Sequence, residues 1–277
     1  MFAPKRMPPT QKWILRQHLY KKAIALLENE FSSIKIPFLL YKGAYLIEVG
    51  LARQIRSRNI CDIDILVKPN DFARVVHYFE GRDNTVRYQN RWEFERTFDC
   101  KLGEHVYAVD IHRGINYDER FEINGDDIFS RAESLSEYKK TPCPEDALSL
   151  FICHLFVHFW KSFPKSTFDE IEALSTHPAF NWQRFWKILN QTGMRNFGRL
   201  IFSLYEDRVG IKLPGWNSPK IAGRKYYKAY LKIYFGLPES IRKLLLNGLY
   251  AKKPVQLALR KFRLVRKTKK LKLHWNQ

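Results

Sequence analysis

Three aspartates carry most of the chemistry this sequence could do. Asp62 and Asp64 stand two apart in Cys61-Asp62-Ile63-Asp64-Ile65-Leu66-Val67, and Asp110 lies in Val106-Tyr107-Ala108-Val109-Asp110-Ile111-His112. Side chains alternate along a strand, so Asp62 and Asp64 share one face while Ile63 and Ile65 enter the core. Neighbouring like charges repel and Asp is a poor strand former, so a compensating cation is expected. Mg²⁺, which takes one or two carboxylates together with substrate phosphates, is the simplest candidate. Alone, the D-x-D is better read as a solvated strand end. The second strand shifts the balance. If it neighbours the first, three carboxylates converge, enough to hold two ions around an in-line phosphoryl displacement. Asp110 could also accept the proton of an attacking hydroxyl. His112 shares its face, as an acceptor-side contact or simply a half-buried strand histidine.

Upstream, Pro37-Phe38-Leu39-Leu40-Tyr41-Lys42-Gly43-Ala44 reads as strand, tight turn and helix start. Glycine allows close approach of a ligand, a helix start favours phosphate, and Lys42 adds a point charge. The segment is too short for a Walker A loop. Arg53, Arg56 and Arg58 precede the paired aspartates, as an ion-pair network or as a triphosphate clamp. His154 and His158 stand four apart in an apolar helical run. No Glu follows His154, which excludes H-E-x-x-H chemistry. Core or cleft histidines fit better than a zinc site, with contact to an acceptor molecule as the functional alternative.

Periodicity supplies the elements around these residues. A helix capped at Thr10 runs to about Phe31, with Ile14, Leu19, Ala23, Leu26 and Leu27 on its apolar side. Strands are expected over 36–41, 62–67, 85–88, 92–98 and 105–112, and helices over 44–49 and 69–79. Beyond Pro142 and Pro144 the spacing is helical over 145–159, 168–174, 182–189 and 195–205. The expected architecture is α+β: a mixed α/β domain over 1–140, a helical lobe over 141–220 and a basic helical segment over 221–277.

Taken in order, strand-Lys42-Gly43-Ala44-helix, Arg58 four residues before Asp62, D-I-D-I-L-V, then V-D-I-H resembles the nucleotidyltransferase superfamily typified by DNA polymerase beta. More closely, it resembles a bacterial group of small nucleotidyltransferase-family proteins with L-K-G-A, D-I-D-L-L-V and V-E-L-H-W segments and a histidine-bearing helical region. The resemblance covers about Ile36 to Gly210. It implies a small mixed sheet flanked by helices and followed by a helical lobe. It further implies Asp62, Asp64 and Asp110 as catalytic and Mg²⁺-binding carboxylates, with room for two ions. Lys42, Gly43 and Arg58 would hold the phosphates of an NTP, with ATP the expected nucleotide, and His112, His154 and His158 would border the acceptor cleft. Two departures stand out. Ala44 replaces the usual Ser or Gly after Gly43, so a hydroxyl contact to phosphate is missing. Arg113 and the shorter Asp110 replace the subgroup's Trp and Glu.

The chain has 277 residues, 45% of them hydrophobic, enough for a normal core. Its formal charge of +20 calls for an anionic partner or surface. Residues 221–277 hold 16 Lys and Arg against one acid, so most of the surplus belongs there. That segment suits an anionic membrane or polyanion slightly better than RNA, since no nucleic-acid module is recognisable. A solvated helix pair is an equal reading. Four scattered cysteines without C-x-x-C suggest reduced thiols. The start lacks an apolar h-region, and the apolar run 147–160 is short of a membrane span. The expected location is cytoplasmic, with peripheral contact at the inner membrane face as an extension. The leading functional expectation is an enzyme moving an NMP from an NTP to a small molecule, glycan, peptide or protein. Its rivals are a phosphotransferase on the same fold and a non-catalytic module binding membrane or polyanion through the basic end.

Overall fold

The computed structural model describes residues 9–55, 60–83, 85–92, 94–115, 121–158, 165–211 and 213. They form a mixed α/β fold built on one mixed sheet flanked by helices. The chain runs α1 (Pro9–Ser33), β1 (Phe38–Leu40), α2 (Lys42–Glu48), β2 (Asp62–Val67), α3 (Pro69–Glu80), β3 (Thr85–Trp92), β4 (Glu95–Leu102) and β5 (His105–His112). It continues with α4 (Gly125–Arg131), β6 (Glu133–Ser134), β7 (Lys139–Thr141), α5 (Pro144–His158), α6 (Lys165–Ser175), α7 (Trp182–Gln191) and α8 (Arg195–Val209). The strand order is β3-β4-β5-β2-β1-β7-β6. Strands β2 and β5 run parallel at the centre, each with an antiparallel neighbour on its other side, β1 and β4.

Contacts divide the described residues into two units. The first takes in 9–115, 124–150 and 165–180, and the second 121–123, 151–158 and the residues from 181 onward. In the first unit, register sorts the sheet residues onto two faces. Ile63 pairs with Val109, which pairs with Phe98, and these three are fully buried. Phe31 of α1 lies 4.5 Å from Phe38 of β1, and Phe79 of α3 lies 5.3 Å from Phe98. Helices α1 and α3 therefore cover the apolar face, and burying these aromatic rings is the main local driving force.

Helix α1 departs from the expected pattern. Thr10 lies inside it rather than capping it, and Ile14 and Leu26 are exposed. The buried stripe is Tyr20, Ala23, Ile24, Leu27 and Phe31, a spacing of three, one, three and four that keeps to one helical face. The helix closes with Lys35 in the left-handed region at φ 54°. Ile36 N–H donates to Phe31 O and Lys35 N–H to Ser32 O, the paired bonds of a Schellman ending. Lys139 of β7 ties this unit further, with Nζ 2.8 Å from Glu28 and 2.7 Å from Glu48. Arg131 of α4 grips Asp146 of α5 with Nε and a terminal nitrogen at 2.8 and 2.9 Å.

The second unit, taken by itself, packs α7 against α8 around Phe185, Phe197, Phe202 and Tyr205, all fully buried. Asn181 caps α7 by accepting the Arg184 N–H at 3.0 Å. Gly198 lets the two helices approach: a Cβ there would stand 2.5 Å from Leu189 Cδ1. Gly198→Ala should therefore lower stability by about 1–3 kcal/mol in urea unfolding, as overpacked cores do. Trimming Leu189 to Ala in the same chain should cost less than the sum of the two single changes.

Candidate active site

The other face of the sheet is polar where β2, β5 and β4 meet. Asp64 pairs with Asp110, Asp62 with Ala108 and Leu66 with His112. Across β4, Thr97 faces Asp110 and Glu95 faces His112. Directly paired residues share a face. Asp62, Asp64, Asp110, His112, Thr97 and Glu95 therefore stand together, on the side away from the aromatic core. Parallel pairing of β2 with β5 is what brings carboxylates 46 positions apart into one register.

Three of these side chains form a tight buried group. Asp64 is 2% exposed, Asp110 7% and His112 2%, and each offers a ligand atom within 4.8 Å of the other two. Asp62, half-buried, is outside this group, although its charge is felt by Lys42 and Asp110. Lys42 places Nζ 2.6 Å from Asp64 Oδ1, and His112 Nε2 lies 3.3 Å from the same oxygen. The Tyr41 ring meets His112 edge-on at 5.2 Å and holds its plane. On the far side of that imidazole, Nδ1 lies 3.7 Å from Glu95 Oε2 and makes no hydrogen bond.

The electrostatics follow from burial and crowding. Burial would raise Asp64, but the Lys42 ammonium and then His112 outweigh it and hold the carboxyl well below its usual range. Burial opposes the charge on Lys42, and Asp64, Asp62 and Asp110 together raise it regardless. Among the described residues, no cation forms a salt bridge with Asp110. Burial, followed by the charge of Asp64, pushes it up to about 7, with partial relief from Thr97. Burial lowers His112 despite its bond to Asp64. Among the described residues, Asp110 Oδ1 has no hydrogen-bond partner. A buried, unsatisfied carboxylate oxygen beside a second carboxylate and an imidazole nitrogen is a donor set that fits a divalent cation.

Lys42 is reached by an unusual backbone. The β1–β2 ladder extends one step, with Tyr41 N–H donating to Asp64 O at 3.2 Å, and Lys42 then turns into the left-handed region at φ 52°. A non-glycine residue there is strained, and such strain gathers at functional sites. Gly43 has a packing role here. A Cβ on it would stand 2.8 Å from Ile60 Cγ2, so the space beside it is filled by a side chain. Of the remaining sequence candidates, Arg56, Arg58, the His158 side chain and the whole basic segment 221–277 lie outside the described residues. His154 is half-buried on α5 in the second unit and is not a member of the carboxylate group.

Glu95 and Thr97 were missed by sequence reasoning, yet a signal for them exists. The hairpin joining β4 and β5 turns at Gly103-Glu104, with Gly103 at φ 60°. Counting back from that turn sets Thr97 against Asp110 and Glu95 against His112.

A buried carboxylate pair on adjacent strands, flanked by a lysine, is the kind of site that serves metal-assisted transfer of phosphoryl-type groups. The model of a family described as uncharacterised nucleotidyltransferase matches residues 9–210. The chain belongs to that nucleotidyltransferase family, and the match takes in the sheet, the carboxylate group and helices α5 to α8. No curated protein and no solved structure matches it. Among the described residues, no helix is long and apolar enough to cross a membrane.

The Lys42–Asp64 pair is testable in the metal-free protein. Lys42→Met strands a buried carboxylate and should cost about 3 kcal/mol in urea unfolding, and far less when Asp64→Asn is already present. Because the folded-state pKa of Asp64 is depressed, the pair's contribution is present above the ordinary carboxylate value and is lost as pH falls toward the folded one.

Proposed function

We propose that the protein is a divalent-cation-dependent nucleotidyltransferase that moves an NMP from an NTP to an acceptor hydroxyl or phosphate and releases pyrophosphate. The observation that carries this reading is the in-register pairing of Asp64 with Asp110, beside Lys42, in a member of a nucleotidyltransferase family. Asp64 and Asp110 would hold the ion, with Asp62 at the edge of the site. When bound, the ion would neutralise triphosphate charge and polarise the reacting phosphoryl group.

The chain's own residues supply the remainder. In the ion-free state Lys42 balances Asp64. With a cation held by the carboxylates, the Lys42 ammonium would be free to bind the β- or γ-phosphate of the nucleotide. Asp110, beside the ion, would be placed to take the proton of the attacking acceptor oxygen. That oxygen forms the new bond to the α-phosphorus, and the bond to the bridging oxygen breaks with its electron pair leaving on pyrophosphate. Mg²⁺ and ATP are the starting choices for assay, and the acceptor is to be found experimentally.

The test is incubation with α-labelled NTPs, divalent ion and cell extract, followed by detection of labelled acceptor and pyrophosphate. Asp64→Asn and Asp110→Asn should each reduce transfer by about 100-fold or more. Transfer that survives both changes overturns the assignment, and transfer of γ-label with an NDP product would make the protein a phosphotransferase.

Asp110 gives a second prediction. Its raised pKa stabilises the folded state fully below about pH 4, and that contribution is lost as pH rises through about 7. Ion binding should therefore expel a proton at pH 6, measured by titration calorimetry in buffers of different ionisation enthalpy. The proton should disappear in Asp110→Asn.

A further inference from the structure

We propose that His112 is a nitrogen ligand of this site, oriented by Glu95, and that it makes the site prefer a first-row transition divalent cation such as Mn²⁺ over Mg²⁺. The inference rests on the divalent-site reading above and names the ion.

Two features of His112 go beyond what packing requires. Nε2 lies inside the carboxylate group, 3.3 Å from Asp64 Oδ1 and within the 4.8 Å cluster that includes Asp110. The opposite nitrogen, Nδ1, is buried without a hydrogen bond, yet it faces Glu95 Oε2 at 3.7 Å. A metal-ligating imidazole binds through one ring nitrogen and gives its other N–H to a carboxylate, which fixes both tautomer and ring plane. His112 has both partners in place, and Tyr41 packs its ring edge-on. The register explains the arrangement: Glu95 is the direct cross-strand partner of His112, and Leu66 occupies the matching position on the other side.

In the ion-free state Nε2–H can donate to Asp64, which leaves the Nδ1 lone pair idle. Holding an ion beside Asp64 and Asp110 would take the Nε2 lone pair, with the ring proton at Nδ1 toward Glu95.

The ion preference follows from the donor types. Mg²⁺ demands oxygen ligands in near-ideal octahedral geometry and gives up water reluctantly. Imidazole suits the first-row transition ions, whose affinity for nitrogen-containing sites rises along the Irving–Williams order. A two-carboxylate, one-imidazole set therefore favours Mn²⁺, Fe²⁺ or Co²⁺ over Mg²⁺.

The experiment uses the full chain with Mn²⁺ alone as probe. Electron-spin-echo modulation of the bound ion is recorded for protein carrying ¹⁴N- or ¹⁵N-histidine, and Mn²⁺ and Mg²⁺ affinities are measured by calorimetry. The expected result is a histidine-nitrogen coupling that changes with the isotope. His112→Asn should abolish that coupling and weaken Mn²⁺ by about tenfold or more, with a smaller effect on Mg²⁺, and Glu95→Gln should weaken Mn²⁺ by about tenfold. The isotope comparison in wild-type protein decides the matter even if His112→Asn does not fold. Mn²⁺ bound with no nitrogen coupling, or a Mn²⁺/Mg²⁺ ratio unchanged in a folded His112→Asn protein, overturns the role of His112 and leaves the carboxylate site standing. Failure of the wild-type protein to bind either ion, or equal binding by Asp64→Asn plus Asp110→Asn, overturns the carboxylate site and this inference together.

Discussion

The parallel pairing of β2 with β5 is the constraint on which the rest depends. It sets Asp64 beside Asp110 on one face and Ile63 beside Val109 on the other. A slip of one residue would exchange the faces, sending carboxylates into the aromatic core and isoleucines into the site. The rings of Phe31, Phe38, Phe79 and Phe98 therefore do more than stabilise the sheet. By demanding apolar partners on their side, they fix the side on which the acids appear. Fold stability and site geometry are two outcomes of one register.

That register creates a local electrostatic imbalance which the molecule only half resolves. Lys42 compensates Asp64 directly. Asp110, two strands from β1, receives a threonine and a neutral imidazole as neighbours, and its carboxyl stays close to protonation at neutral pH. At its centre the polar face thus sets Asp64, paired with a cation, beside Asp110, whose Oδ1 has no hydrogen-bond partner among the described residues. A purely structural ion pair would not need the second acid at all, and its burial without a partner for Oδ1 is a cost that a bound cation would remove.

Much of this was legible in the sequence. The period-two pattern of 62–67 and 105–112 gave both central strands with their bounds, and the change to helical spacing after Pro144 gave α5 to α8. Less was legible where tertiary contact decides. β6 and β7 have two and three residues and exist because β1 offers a free edge, and α4 is a seven-residue helix held by Asn124 and by Arg131 on Asp146. Helix α1 has apolar residues on more than one side, so composition alone could not choose the buried stripe. At the candidate site, residue types and spacing singled out Asp62, Asp64 and Asp110 as candidates, but the bonding of Lys42 to Asp64 and the placing of Glu95 behind His112 needed cross-strand register. Gly43 was legible as a glycine, whereas its reason, the Ile60 side chain lying against it, depends on a contact 17 positions away.

The left-handed backbone of Lys42 sets two demands that no single residue type meets without compromise. Glycine or asparagine would relax the chain there but bring no ammonium, and arginine would keep a cation but carry a broader, planar head to Asp64. The pair with Asp64 is therefore held against the preference of the turn that carries it: a chain with Lys42→Gly would sit at ease in the backbone and leave a buried carboxylate without its cation.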